Sequence, residues 1–312
     1  NNICCNDIAV APGHIVYTQW VNDAGGLEAD LTVTRLADNA FMIVCSDTTH
    51  GHVKMWLDKH IAKDAHAFVT DVTSSYTLIN LHGPKARALM ADLTHADVSN
   101  DAFPYLTAQE IDIDYARVLA IRVTYVGELG WELYIPTEHA LQVYDRIVAA
   151  GQAYQLMHAG LQTLNSLRLE KGYRDYGHDI DNMDTPLEAG LGFAVKLDKA
   201  NGFIGCDALA AQKAEGGLKR RLLQFKLEDP EPLLHHAELI YRNGEFAGYI
   251  RAGAYGFTLG ASVGLGLVES EQIITADHVK TDSWEIEIAG TRYKAEASLR
   301  PLFDPTMERI KC

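Results

Sequence analysis

The segment NDAGG, residues 22–26, joins two stretches whose side chains alternate between apolar and polar. Such a turn between period-2 runs specifies an antiparallel hairpin, here HIVYTQWV followed by LEADLTVTRL. In the second run Leu27, Ala29, Leu31 and Val33 fall on one face. Glu28, Asp30, Thr32 and Thr34 fall on the other. The apolar face asks for a core. The acidic, hydroxyl-lined face either meets water or lines a site. With Val21 set opposite Leu27, an unbroken ladder places Thr18 opposite Asp30.

A third strand follows at 40–46, then an amphipathic helix in which Val53, Trp56, Leu57, His60 and Ile61 keep helical spacing. Residues 74–93 read as strand, turn and helix, with Ala86, Leu89, Met90 and Leu93 as the buried stripe. Residues 118–135 read as two strands around a glycine-containing turn. Two helices come next, the first with Thr137 as N-cap and the second stopped by Gly172. Strands and helices therefore mix through residue 200, which is α+β logic. The polar run AQKAEGGLKRR at 211–221 reads as a linker. Beyond it the patterns are nearly all β, with NG and AG turns. The expected division is an α+β region over 1–215, made of two interleaved lobes, and a β-barrel or sandwich over 216–312.

Several function classes are excluded by composition. A net charge of −15, with no basic stripe longer than LKRR, does not suit a nucleic-acid partner. No apolar run reaches the roughly 20 residues of a membrane span. Five scattered cysteines form neither a disulfide framework nor a zinc pattern, and HGH at 50–52 and HH at 235–236 lack further ligands, so no metal site is expected. No G-x-G-x-x-G follows an early strand. The glycines of 260–269 read as tight β-turns and close packing, so no flavin or nicotinamide site is expected within the chain.

The chemistry concentrates in three acid-bearing segments. TYVGELGWELY carries Tyr125, Glu128, Trp131 and Glu132. LRLEKGYRDYGHDID carries Glu170, Tyr173, Arg174, Tyr176, His178 and Asp179. A lone acid is ordinarily an exposed carboxylate. Two such segments, each beside aromatics and glycines, point to a shared polar pocket with the Asp30 strand as the third.

These segments, taken with SLRLEKGYRDYGHDIDNMDTPLEAGLGFAVKLDK, GAYGFTLGASVGLGLVE and RPLFDPTMERI, resemble in order the tetrahydrofolate-binding aminomethyltransferase family, the glycine-cleavage T-protein and its relatives. EKGYRDYGHDI and VGELGWELY are most similar to the C-terminal folate domain of dimethylglycine and sarcosine dehydrogenases. The resemblance implies a three-lobed cloverleaf of mixed α/β lobes, followed by a C-terminal barrel, with folate in a central channel. It implies that Asp30 is the catalytic acid set against the reduced pteridine nitrogens. Tyr125 and Glu132 then contact the pterin, and Tyr17, Thr32 and Tyr176 join them as folate contacts. Arg35, Arg122, Arg168, Arg174 and Arg251 all stay open as partners of the glutamate tail.

Leu164-Asn165 stands where T-proteins carry an Arg-Asp pair, which favours the dehydrogenase-associated branch. The KGCY motif of the iron–sulfur-linked relatives is absent. Relatives start with a strand and helix upstream of NDI, so an internal fragment is expected. The implied function is capture of an iminium or formaldehyde unit from an N-methyl amine by tetrahydrofolate, giving 5,10-methylenetetrahydrofolate. FAD would sit only on a flavin dehydrogenase domain or subunit outside this chain. The implied location is the cytoplasm, or the mitochondrial matrix in a eukaryote. The alternatives are a folate-dependent O- or S-methyl demethylase and a non-catalytic folate-binding module.

Overall fold

In the computed structural model, which describes all 312 residues, the hairpin forms as β1 (Ile15–Val21) and β2 (Leu27–Ala37), with β3 (Ala40–Val44) completing a sheet of order β1-β2-β3. Its apolar face works as the alternation requires. Ala29, Leu31 and Val33 share a core with Trp20 and with Val53 and Trp56 of helix α1 (His50–His60). Trp20 is fully buried, and a ring of that size contributes about 2–3 kcal/mol of hydrophobic stabilisation.

The ladder has a break that the pattern does not reveal. Val21 does pair with Leu27, but a bulge between Trp20 and Val21 leaves Glu28 as an extra residue. Trp20 therefore faces Ala29, and Gln19, not Thr18, stands opposite Asp30. The bulged Glu28 is held from both sides, by Asn22 of the turn at 3.0 Å and by His52 of α1 at 3.0 Å.

The second lobe runs β4 (Tyr76–His82), α2 (Ala86–Leu93), β5 (Ala108–Ile113), β6 (Ala116–Ile121), β7 (Gly130–Pro136) and α3 (Ala140–Gly151), with sheet order β4-β7-β6-β5. Leu89, Met90 and Leu93 of α2 and Val143 and Ile147 of α3 cover one face of this sheet around Trp131 and Leu133. The two sheets meet where Ile15 packs with Ala108, Ile121 and Tyr134, and Met42 and Val44 close around them. Thr137 does not cap α3. A short 3-10 turn over Thr137–His139 precedes the helix, and the Thr137 hydroxyl donates instead to the Ser74 carbonyl at 3.0 Å.

Helix α4 (Leu161–Glu170) ends as expected, with Gly172 in the left-handed region at φ +65°. Helix α5 (Cys206–Ala214) takes up the first part of the expected linker. Then β8 (Arg220–Leu227), β9 (Leu239–Arg242), β10 (Glu245–Gly256), β11 (Ala261–Glu269), β12 (Trp284–Ile288) and β13 (Thr291–Ser298) close a six-stranded barrel of order β10-β11-β8-β13-β12-β9. Of the glycines read as tight turns and close packing, Gly260 lies in the turn between β10 and β11 with φ +72°, and the others lie inside β11. Gly264 and Gly266 are strand residues whose Cβ would meet Ala252 and Ile240 respectively, so close packing is their role.

The barrel is locked onto the end of α4. The Gln224 side-chain amide donates to the carbonyls of Leu169 and Glu170, at 2.6 and 2.9 Å. In return Glu170 accepts the backbone N–H groups of Thr258 and Leu259. The loop that leaves α4 is thereby aimed at the first lobe. No helix is long and apolar enough to cross a membrane.

Candidate active site

The polar face of the first hairpin gathers Tyr17, Gln19, Asp30 and Thr32. Gln19 pairs directly with Asp30, and Tyr17 pairs with Thr32. The Asp30 carboxylate is partly buried and held at both oxygens. The Tyr17 hydroxyl donates to Oδ2 at 2.9 Å and the Gln19 amide donates to Oδ1 at 2.9 Å. The same face is not uniform in use: Glu28 anchors the turn, and Thr34 is fully buried.

Burial pushes the Asp30 pKa up to about 6, because an ionised carboxylate loses hydration there. The donors Gln19 and Tyr17 and the positive charge of Arg174 oppose that rise, and the Asp175 carboxylate adds to it. The Tyr17 phenol is held well above its ordinary value, first by burial and then by the Asp30 charge. Such a carboxyl changes protonation state close to neutral pH, which suits a general base.

Two aromatic pairs flank this carboxyl. Tyr17 stacks on Phe193, with centroids 6.0 Å apart and planes at 26°; Phe193 is 70% exposed. Tyr125 stacks on Tyr173, with centroids 6.0 Å apart and planes at 11°. The Tyr125 hydroxyl donates to the Arg174 carbonyl at 2.6 Å, and its phenol is raised chiefly by burial. Arg174 itself donates to the carbonyls of Ala189 at 2.9 Å and Gly172 at 2.5 Å, and its charge acts on both Tyr17 and Asp30. The loop after α4 thus supplies a cation beside the Asp30 carboxylate.

The other expected contacts lie further out. Glu132, on β7, accepts from the Tyr134 hydroxyl at 2.8 Å, and burial raises its carboxyl. It shares a β7 face with Tyr134, which packs on Ile15, Met42 and Val44 of the first lobe. No hydrogen bond links it to Asp30. Tyr176 turns towards the hairpin's turn end, where its hydroxyl donates to the Leu27 carbonyl at 3.2 Å. Among the arginines, Arg168 is buried against Asp179, Arg122 against the Phe103 carbonyl, and Arg251 against Asp181 and Asp184. Arg35 bonds the carbonyls of Val10, Ala37 and Asp38. Arg174 alone of the five acts on Asp30. Gln19 and Phe193 were not legible as site residues: the bulge hides the first, and the second lies far along the chain.

This donor set suits a flat, reduced heterocycle bearing N–H groups. A carboxylate accepts such donors in charge-assisted bonds, and tyrosine rings offer flat apolar faces. No group of three or more His, Cys, Asp or Glu side chains is gathered to hold a metal ion. A separate cleft of about 540 Å³, lined by Asn2, Asp23 and residues 201–207, shares no residue with this cluster.

Comparison with known proteins bears on the family and the fold. The family described as GCVT N-terminal domain matches residues 1–199, and the one described as glycine cleavage T-protein C-terminal barrel domain matches residues 220–304. The chain is 39% identical to the mitochondrial pyruvate dehydrogenase phosphatase regulatory subunit of Mus musculus, over 96% of the chain and 35% of that protein. It is 35% identical to the mitochondrial sarcosine dehydrogenase of Homo sapiens, over 98% of the chain and 35% of that protein. The chain therefore spans about a third of the length of these relatives. The solved structure of glycine cleavage system aminomethyltransferase T from Bartonella henselae shares the fold. Its TM-score is 0.80 at 24% identity, covering 97% of this chain and 80% of that one. Both family regions lie here in order, mixed α/β lobes first and closed barrel second, and the chain belongs to the glycine cleavage T-protein family.

Proposed function

We propose that this chain is a tetrahydrofolate-dependent one-carbon transfer enzyme or enzyme domain. It captures an iminium or formaldehyde unit derived from an N-methyl amine and gives 5,10-methylenetetrahydrofolate and the demethylated amine. The observation that carries this reading is the Asp30 carboxyl, held at both oxygens by Tyr17 and Gln19 in a setting whose burial pushes its pKa up to about 6. Tetrahydrofolate supplies the two nucleophilic nitrogens, N5 of the reduced ring and the exocyclic N10. Asp30 orients their N–H groups and takes the proton that must leave as a nitrogen–carbon bond forms. Tyr17, Phe193, Tyr125 and Tyr173 offer flat faces for the pterin, with Thr32, Tyr176 and Glu132 nearer its margins. Arg174 lies beside Asp30 and keeps its charged form favoured. Holding both reactants and excluding water supplies much of the remaining rate gain.

The amine is oxidised elsewhere, on a flavin domain or subunit, as the likeness to sarcosine dehydrogenase suggests. The protein works in the cytoplasm, or in the mitochondrial matrix if eukaryotic. Anaerobic calorimetric titration with tetrahydrofolate tests the site. Asp30→Ala should weaken binding at least about tenfold, the loss of one charge-assisted bond. Asp30→Asn should lower methylene transfer from formaldehyde about 10²–10⁴-fold, the usual contribution of a positioned base. Full transfer in Asp30→Asn with folate bound would sink the catalytic role. A 5-methyltetrahydrofolate product would move the assignment to a demethylase.

A further inference from the structure

We propose that Gln19 is a positioning residue that partners the Asp30 carboxyl in both of its protonation states. This rests on reading Asp30 as the acid–base group of the site.

Gln19 is fully buried and faces Asp30 only because of the bulge at Glu28. Its Nε2 donates to Asp30 Oδ1 at 2.9 Å, while its Oε1 is buried with no hydrogen-bond partner. A buried acceptor without a donor is uncommon in a folded chain and asks for a reason. The ionised carboxylate provides one. Two acceptors repel, so while Asp30 is charged only the N–H end of the amide can face it. The carbonyl end then has nothing to bond.

The situation reverses when Asp30 takes up a proton. The acid now carries an O–H donor. A half-turn of the amide about its terminal torsion presents Oε1 to that donor, and that torsion is soft and roughly two-fold in glutamine. The Tyr17 hydroxyl keeps its bond to Oδ2 in either state, since a phenol can rotate its proton. The carboxyl is therefore held at both oxygens before and after it accepts the proton, and it does not swing away between the two. An apolar side chain at this position would hold neither state. A glutamate would add a second charge that competes for the proton.

The other groups facing Asp30 act on it by charge. They are Tyr17 from β1, Arg174 and Asp175 from the loop after α4, and Tyr125 from the β6–β7 loop. Of the two side chains hydrogen-bonded to Asp30, Tyr17 and Gln19, only Gln19 holds a buried acceptor without a partner.

The test is a carboxyl-carbon NMR titration of the whole protein, with the Asp30 signal identified by Asp30→Asn. Gln19→Met preserves side-chain length, and Gln19→Leu provides a second variant if the first folds poorly. The bond lost to the ionised carboxylate is charge-assisted and stronger than the bond lost to the neutral acid, so the Asp30 midpoint should rise by the difference, less than about one pH unit. In the wild type, the Gln19 side-chain N–H₂ signals should shift with the same midpoint as Asp30, because the amide turns as the proton arrives. Amide signals indifferent to the titration, or a midpoint that falls in both variants, overturns the proposal. The titration reads the carboxyl itself, so it decides the role of Gln19 whatever the transfer rate of Asp30→Asn shows about catalysis. Where that catalytic role holds, the acid limb of the transfer rate should move up with the Asp30 midpoint in Gln19→Met.

Discussion

At Asp30 a cost in stability accompanies the role proposed for the carboxyl. Its folded pKa of about 6 lies above the value of about 3.9 that an unfolded chain gives an aspartate. A raised carboxyl stabilises the fold most where both states are protonated, below about pH 4. That advantage is lost as pH rises through 6, because the folded protein must then hold a poorly solvated charge. An asparagine at the same place carries no such charge and keeps an acceptor for Tyr17. Asp30→Asn should therefore be more stable than the wild type at pH 7.5, by about 1–3 kcal/mol, a gap bounded by the size of the shift. The gap should close below pH 4. Urea unfolding at the two pH values checks this, and equal stability at pH 7.5 would mean that the site solvates the carboxylate well. The expected loss of transfer and the expected gain of stability come from the same desolvation.

At the level of elements, the site depends on how the loop after α4 is held. Arg168 on α4 and Asp179 form an ion pair with side-chain exposures of 3% and 0%. Asp179 also accepts the Asp175 backbone N–H at 3.0 Å and pairs with His178 at 2.9 Å, so it pins the loop that bears Arg174. Arg168→Met removes the cation and leaves Asp179 buried without its main partner, a change that costs about 3–5 kcal/mol in such pairs. A lower urea midpoint together with weaker folate binding is the expected outcome. A drop in stability with folate affinity intact would show that the loop keeps its place without the pair. The legible parts of the site follow from the same distinction between local and distant order. The alternation of β2 shows which residues share the polar face, because period 2 is a local property. It does not show the bulge, since nothing in Trp20-Val21 or Glu28 marks an extra residue, and one slip changes every cross-strand partner. Gln19 was missed for that reason. Phe193 reaches Tyr17, and the charge of Arg174 reaches Asp30, from over 140 positions away, a proximity that only tertiary packing creates. The glycines of 260–269 were legible as a mixture of turn and close packing but not one by one, because glycine marks both alike: Gly260 turns the chain, while Gly264 and Gly266 let strands approach.

For the whole molecule, the division near residue 215 runs through shared packing. Leu27, Leu169 and Leu191 of the N-terminal region form one buried cluster with Leu222, Val263, Leu265 and Leu267 of the barrel. Polar ties cross the same boundary. Lys171 reaches Asp304 at 3.0 Å with only 1% of its side chain exposed, and the Gln224 side-chain amide donates to the Leu169 carbonyl at 2.6 Å. The C-terminal backbone returns to the second lobe, where Arg122 bonds the carbonyls of Ile310 and Cys312. If the barrel unfolded alone, it would strip cover from the first hairpin and from the end of α4, leaving buried charges such as Lys171 unpaired. The two regions should therefore melt together. Scanning calorimetry should give a single endotherm whose calorimetric and van't Hoff enthalpies agree. Asp304→Ala, by leaving Lys171 without its counter-charge, should shift that endotherm down as a whole and not split it. Two transitions, with only the later or earlier one moved by Asp304→Ala, would show that the barrel is an independent folding unit. In that case the shared cluster would be a contact between two finished domains, and the loop carrying Arg174 would gain its order when they dock.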